Sequence, residues 1–435
     1  MENQEQVPEA TNTWSRRKFL QMGVATGGAA LALPKIARLH GAPRISQGSS
    51  AKSGGIIRYL AAAEGDSVYI QQVIAPQFTK QTGIKVQIDQ VEYNNLYTKE
   101  ILEFKTNTYD VYQVDQIWVE AYAKSGYLLA LDKDIPKSTL ANFYPNLVDI
   151  CRVNGKLWSV PFSAIPVNYS YRKDILASHG FKPADTWQEA LTIAQETNKS
   201  GLWGYPIRGQ TGNPITWTWL PMLWSFGGQT FNSKMEPVYN SDTAIESVDF
   251  FKKLYKYSPP GWLSDAEVAT TMEQGQAVQT HLQMVFDSAF ENPKDSKEVG
   301  KIGFAGMPKM ATRASILGMW TLGIGANSTK TANALKFIEY LSSPAIARQM
   351  AIAGVTGAPQ PAIYKTAHAP DFFPVLGEVL GYVKPPPLIP EGNQWFIITG
   401  TALQNALSGR QTAKQAMNQA ASQVHALLAS AGYYK

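Results

Sequence analysis

Residues 56–88 read IIRYLAAAEGDSVYIQQVIAPQFTKQTGIKVQI. The apolar run Ile56 to Leu60 predicts a first strand. From Val68 to Thr79 the apolar residues Ile70, Val73, Ile74 and Phe78 recur on one side of a helix. Gly83 ends that helix, and Ile84 to Ile88 alternates as a second strand. The pattern continues outward. Leu96 to Phe104 predicts a helix and Tyr109 to Val114 a third strand. Val119 to Lys124 predicts a short helix stopped by Gly126, followed by Leu128 to Leu131. Strand and helix alternating in units of about 30 residues predict an α/β, doubly wound sheet, mostly parallel and flanked by helices.

A second series begins after Leu157 to Phe162. Asn168 to Tyr171 predicts a strand and Lys173 to Ser178 a helix stopped by Gly180. Thr186, with Glu189 three residues on, is a capping box. Ser241 to Tyr257 and Ala332 to Leu341 are amphipathic, and Gln411 to Ala429 is an alanine-rich helix expected to pack on the outside. Pro385 to Pro387 is a stiff connector. A chain of 435 residues is long enough for two or three domains, and no internal repeat is visible in it.

Composition removes several function classes. Hydrophobic residues are 44% and charged residues 17%, which is globular. No strongly apolar run reaches the roughly 18 residues of a membrane span, which argues against a polytopic membrane protein. One cysteine, Cys151, excludes an intrachain disulfide framework and a cysteine-based zinc site, and five scattered histidines argue against a metal centre. The net charge is +5, but residues 1–50 hold six Lys/Arg against three Glu, so the remainder carries only +2. A near-neutral body argues against a nucleic-acid partner. The phosphate loop, H-E-x-x-H, C-x-x-C and G-x-S-x-G patterns are all absent. No cofactor is expected, no catalytic residue is assigned, and a monomer is expected.

The N-terminus holds Arg16-Arg17-Lys18-Phe19-Leu20 ahead of a short apolar stretch, Met22 to Leu33. A basic region followed by a short apolar one reads as an export signal. The arginine pair resembles a twin-arginine signal, which exports folded proteins. Cleavage is open between Ala30-Leu31-Ala32, Ala42 and Ala51, and with no cysteine behind the apolar stretch a cysteine-linked lipid anchor there is excluded. Gln47 to Gly55 reads as a flexible linker. Signal and linker together are assigned to residues 1–54, and the body is expected in the periplasm or at the cell surface.

The aromatic residues carry the chemistry. Trp217, Trp219 and Trp224 fall in a tract, Gly209 to Gly228, that reads as a loop. Trp118 follows a predicted strand end, Trp320 precedes the apolar run Leu322 to Ile324, and Trp395 follows a proline-rich turn. Burying one tryptophan removes about 150–250 Å² from water and is worth about 4–6 kcal/mol. Leaving several half-exposed forgoes that stabilisation. Flat rings beside Asp, Glu, Asn and Gln suit a sugar, which has an apolar C–H face and a hydroxyl rim. Trp158, Trp187 and Trp203 read as core. Trp217, Trp320 and Trp395 read as site residues in loops at strand ends, where α/β sheets bind ligands.

Several stretches, in order, resemble the family 1 extracellular solute-binding proteins of ABC importers, the maltose-binding-protein-like group. They are Phe78-Thr-Lys-Gln-Thr-Gly-Ile-Lys-Val86; Tyr109-Asp-Val111 with Asp115, Trp118 and Ser125-Gly-Tyr-Leu-Leu-Ala-Leu-Asp132; Gly155-Lys-Leu-Trp-Ser-Val-Pro161 with Tyr171-Arg-Lys-Asp-Ile-Leu176; Thr186-Trp-Gln-Glu-Ala190; Phe226-Gly-Gly228; Gly275-Gln-Ala277 with Met284; Lys336 to Pro344; and Ala406-Leu-Ser-Gly-Arg-Gln-Thr412. The resemblance runs from about Ile56 to Leu428 and implies a two-lobed, type II periplasmic-binding-protein fold that closes on its ligand about a hinge.

It implies lobe 1 at residues 55–162 plus 310–348 and lobe 2 at 163–309 plus 349–435. The crossings are expected near Pro161–Pro166, Gly306–Met310 and Met350–Pro359. The implied ligand residues are Glu64, Asp66, Asp115, Trp118, Trp217, Asp287, Phe290, Trp320 and Trp395. Phe290 stands where the family often has a larger aromatic. The implied partners are a small-molecule carbohydrate and the membrane subunits of an ABC permease. An exported carbohydrate-active enzyme is the alternative from another class. Within the binding class, glycerol phosphate calls for converging Arg or Lys, and a polyamine calls for several carboxylates around an aromatic box.

Overall fold

The computed structural model describes residues 55–365 and 370–434. The export-signal, cleavage and linker readings at residues 1–54 lie outside the described residues. The first unit forms as its periodicity dictates. Strand β1 (Ile56–Ala62) is followed by helix α1 (Gly65–Tyr69), a wide helical turn (Ile70–Ile74) and helix α2 (Ala75–Thr82). Gly83 ends this run in the left-handed conformation, φ 76°, which glycine adopts without a Cβ penalty. Strand β2 (Lys85–Val91), helix α3 (Tyr93–Thr106), strand β3 (Val111–Asp115) and helix α4 (Val119–Lys124) complete the alternation.

Downstream come β4 (Val160–Arg172), α5 (Asn213–Ser225), β5 (Gln279–Gln283), α6 (Asp287–Phe290), β6 (Ile302–Ala305) and β7 (Ser315–Ile324). Helix α7 (Thr331–Leu341), strand β8 (Val383–Lys384), helix α8 (Gly392–Leu407) and helix α9 (Ala413–Ser430) follow. The expected capping box at Thr186 is present. The Glu189 amide donates to Thr186 Oγ1 at 3.1 Å, and the Thr186 amide donates to Glu189 Oε2 at 3.0 Å.

The strands join in the order β2-β1-β3-β7-β4-β5, with β8 paired to β7 and β6 paired to β4. The pairs β1–β2, β1–β3 and β8–β7 are parallel. The pairs β3–β7, β4–β7, β4–β5 and β4–β6 are antiparallel. The α/β class holds, but the sheet is mixed, not mostly parallel. The cause is β4 and β7, two long strands that carry the chain through the sheet, where a helical crossover would have kept it parallel. The sequence predicts only Asn168–Tyr171 of the thirteen-residue β4.

Two large hydrophobic cores flank these strands. The first gathers Ile57, Phe78, Val114, Leu322 and Phe337. The second gathers Trp187, Trp219, Phe251, Leu403 and Met417. Along β4, Val160, Phe162 and Ala164 belong to the first core and Val167 and Tyr169 to the second. At and along β7, Ala314 just before the strand and Ile316 within it belong to the second core, and Leu317, Met319 and Leu322 to the first. The chain therefore changes cores at 164–167 and at 316–317. The second change lies beyond the expected Gly306–Met310, because Met307 still packs in the second core. Ile363, Phe373, Leu376 and Val383 pack in the first core, and the chain rejoins the second only by Ile389. That differs from the expected assignment of 349–435 to lobe 2.

One other expectation changes. The tract 209–228 is not a loop: its middle is α5, buried from Ile215 to Ser225. Helix α9 packs on the outside as expected: Ala416, Met417, Ala420, Val424 and Leu428 face the second core, while Lys414, Gln415, Asn418, Gln419, Ser422 and Gln423 are exposed. Among the described residues no helix is long and apolar enough to cross a membrane, and no group of His, Cys, Asp and Glu could hold a metal ion.

Candidate functional site

The C-terminal ends of β1 and β3 and the middle of β7 bring four predicted residues together. Antiparallel register sets Asp115, the last residue of β3, directly across from Trp320. Trp320 donates its indole N–H to Glu64 Oε2 at 3.0 Å, just past the end of β1. Trp118, in the turn after β3, meets Trp320 edge to face at 6.2 Å. Glu64, Asp115, Trp118 and Trp320 thus form one wall.

Two residues missed by sequence reasoning complete it. Tyr93, at the first position of α3, stacks on Trp118 at 5.7 Å with 21° between the planes, and Tyr97, one turn on, packs against the same indole at 5.3 Å. Each tyrosine remains 39% exposed, whereas Trp118 and Trp320 keep only 8% and 5%. Tyr93 donates its hydroxyl to Asp115 Oδ2 at 2.9 Å, while Asp115 Oδ1 accepts the Ile117 amide at 3.2 Å. Asp115 is therefore also a turn cap.

The electrostatics of the wall are one-sided. Burial pushes the Asp115 carboxyl up to about 6, and the Ile117 amide and Tyr93 hydroxyl only partly oppose it. Loss of surrounding water likewise raises Glu64, against the indole hydrogen bond. Glu64 is nonetheless an exposed residue. Asp66 lies deeper. Ser67 N–H and Gln113 Nε2 donate to its two oxygens at 2.7 and 2.9 Å, and burial lifts it to about 7. It ties Ser67 to Gln113 and does not face solvent. Glu100, buried one turn beyond Tyr97, accepts from the Tyr122 hydroxyl at 2.8 Å and keeps one oxygen without a donor. Among the described residues, none of Glu64, Asp66, Glu100 and Asp115 forms an ion pair with a Lys or Arg.

The remaining candidates lie elsewhere. Trp217, on α5 and in the second core, lies against Gly318 of β7, where a Cβ would come within 3.0 Å of its ring. Gly318 and Trp320, two residues apart, lie on one face of β7, so Trp217 approaches the wall from the second core. Its indole N–H is buried without a partner, and the Arg208 guanidinium stands 6.0 Å from the ring centre. Asp287, at the start of α6, is buried and accepts from Asn168 Nδ2 at 3.3 Å.

Two candidates are corrected. Trp395 is 0% exposed on α8, packed on Phe396 and Phe231. Phe290 is buried against Phe304, in a small third cluster with Val268 and Met272. Both are core residues. Trp217 and Trp395 sit on helices and Trp320 on a strand, not in the loops expected for all three. A surface groove of about 470 Å³ between Trp224 and the Pro385–Pro387 strap contains none of the nine candidates.

Known proteins give the same architecture. The model of the family described as bacterial extracellular solute-binding protein matches residues 61–348. A probable amino-acid ABC transporter periplasmic-binding protein of Sinorhizobium fredii is 29% identical over 408 residues, covering 88% of this chain and 91% of its own. A mannitol-binding protein of Pseudomonas aeruginosa is 27% identical, covering 68% and 75%. The solved structure of maltose-bound MalE3 from T. maritima superposes with a TM-score of 0.76 at 25% identity, covering 86% of this chain and all of that one.

Proposed function

The chain belongs to the bacterial extracellular solute-binding protein family, and from that premise we propose that it is the receptor of an ABC importer, capturing a carbohydrate between two lobes and delivering it to a membrane permease. The observation that carries the sugar reading is the wall itself: the Trp118 and Trp320 indoles with the exposed Tyr97 ring, beside the acceptor oxygens of Glu64 and Asp115. Aromatic faces cover C–H surface, and carboxylates accept hydroxyl donors in charge-assisted bonds. Trp217 contributes from the second core. Asp66 acts by positioning, and Asp287 by shaping the second-core side. A mannitol-binding relative and a maltose-bound structural neighbour support the same class of guest.

The name of the Sinorhizobium relative points to an amino acid instead. An amino acid could set its ammonium on Glu64 and Asp115, but its carboxylate would need a cation, and no Lys or Arg is paired with either acid among the described residues. The lack of that cation on the wall favours a neutral sugar or polyol. The first core with β1–β3 forms lobe 1 and the second core forms lobe 2, with β4 and β7 passing between them. Closure follows because a guest touching both lobes favours the closed state by its extra contacts there. The protein acts as a monomer without a nucleic-acid partner and makes or breaks no bond. Export through a twin-arginine signal places it in the periplasm or at the cell surface.

A thermal-shift screen over monosaccharides, disaccharides, oligosaccharides, polyols and amino acids tests this reading. We expect a rise in melting temperature with a sugar or polyol. A rise with amino acids alone would refute the carbohydrate assignment.

A further inference from the structure

Tyr93 makes the contacts that a sugar would make on this wall. Its flat ring lies on Trp118, 5.7 Å between centres and 21° between planes. Its edge relation to Trp320, 5.8 Å at 73°, closes one side. Its hydroxyl donates to Asp115 Oδ2 at 2.9 Å. An apolar face on an indole with a hydroxyl on a carboxylate is the pairing expected of a pyranose. The cost of this arrangement is access. Trp118 is left 8% exposed, and both Asp115 oxygens already have donors, one from Tyr93 and one from the Ile117 amide.

Tyr93 is not held there as a core residue, since 39% of it faces solvent. It is the first residue of α3, and Glu92 before it is non-helical, with φ −53° and ψ 137°. The helix therefore does not need this ring in this place. Tyr97 also packs on Trp118, at 5.3 Å, and remains as a second ring beside the vacated position.

We infer that Tyr93 occupies the guest's own place and is displaced when a ring-shaped or linear polyhydroxy compound binds, its position on Trp118 and Asp115 being taken by the guest's C–H face and a guest hydroxyl. The inference rests on the carbohydrate reading above. It makes Tyr93 a determinant of affinity. The apparent dissociation constant exceeds the intrinsic one by the reciprocal of the fraction of molecules in which Tyr93 has left.

The test is isothermal titration of wild type, Tyr93→Phe and Tyr93→Ala with D-mannitol, D-glucose and maltose. Tyr93→Phe keeps the ring and deletes the bond to Asp115, so the Kd should tighten by about two- to tenfold. Tyr93→Ala bares the Trp118 face and should also bind more tightly than wild type. Binding seen only in the variants would support the inference in its strongest form. If wild type binds and Tyr93→Phe binds equally or more weakly, Tyr93 is a fixed wall residue and the inference is overturned while the carbohydrate reading stands. If no probe binds any of the three proteins, the inference is overturned, and the carbohydrate reading is decided separately by the broader thermal-shift panel.

Discussion

Asn168 and Asp287 show how one buried pair reports its charge state. Asn168 Nδ2 donates to Asp287 Oδ1 at 3.3 Å, while Asn168 Oδ1 and Asp287 Oδ2 are both buried without partners. A proton on Asp287 supplies the donor that pair lacks. Burial holds this carboxyl well above the usual carboxylate range, with Glu291 adding to the shift and the Asn168 amide opposing it. The folded state therefore keeps a proton that the unfolded chain releases near 3.8, and ionising Asp287 as the pH rises works against folding. Asp287→Asn removes this penalty. Its melting temperature relative to wild type should rise from pH 5 to pH 8, and a constant difference would show Asp287 to be ionised throughout. Trp320 makes a second residue-level case. Because it is 5% exposed within β7, Trp320→Ala should cost about 3–5 kcal/mol of stability by denaturant unfolding as well as weakening sugar binding. Trp320→Phe is the gentler probe, since it removes the indole N–H from Glu64 and keeps a ring.

At the scale of elements, the alternating units were readable because each has a solvated face. The helices carry apolar stripes, and their ends carry Gly83 and the Thr186 capping box. Helix α5 was not readable, for a physical reason. Every residue from Ile215 to Ser225 is buried, so no polar face imposes a period, and Pro214 and Pro221 add loop signals. The candidate site divides the same way. Trp118 was legible as a residue following a strand end, and Glu64 and Asp115 through the resemblance to the solute-binding proteins. Tyr93 and Tyr97 look like ordinary positions of an amphipathic helix, and only the fold brings them to Trp118. Trp395 was misassigned because a proline-rich turn precedes it, although the helix it opens carries it into the core. Crossings were the least legible feature, since a strand that changes cores has apolar residues on both sides of the change. One crossing contact permits a sharp forecast. Ala164 N–H donates to Gly357 O at 2.8 Å, and a Cβ on Gly357 would lie 1.8 Å from Ala164 O. That clash is backbone against backbone, so neither side can rotate away. Gly357→Ala should destabilise by about 3 kcal/mol or more, read from the urea midpoint, whereas Gly83→Ala meets nothing within 4 Å and suffers only its φ of 76°.

For the whole molecule, the acidic groups near β1, β3 and α6 set the pH response. Asp66 rises to about 7 and Asp115 to about 6, and Glu64, Glu100 and Asp287 rise as well, burial being the first cause in each. Glu103 works in the other direction, drawn down to about 2 first by its bond from Lys99, and Asp174 and Asp185 are lowered by Arg172 and by Lys309 with Arg313. Those lowered acids give stability that is complete once the pH exceeds the ordinary carboxylate value and is lost only in stronger acid. In the neutral range the raised acids outnumber buried His281, which burial holds down to about 4 and which by itself adds stability as the pH climbs to 6.5. Below 3.8, Asp66 is protonated in both states and contributes nothing. Between there and about 7 the folded protein holds a proton that the unfolded chain has released, so stability falls as the pH climbs and levels off above. At about 1.4 kcal/mol for each pH unit between the two values, Asp66 alone accounts for about 4 kcal/mol. The unliganded protein should therefore be more stable to urea at pH 5 than at pH 7.5, and a flat or rising profile would mean that these carboxylates find counter-charge in solution. Closure on a guest is read separately by small-angle scattering at pH 7.5, where a bound sugar should contract the radius of gyration. Since β4 and β7 each pass from one core to the other, the contraction should come with both cores intact, so amide exchange at Val114 and Leu403 should slow only by the mass-action stabilisation that binding confers.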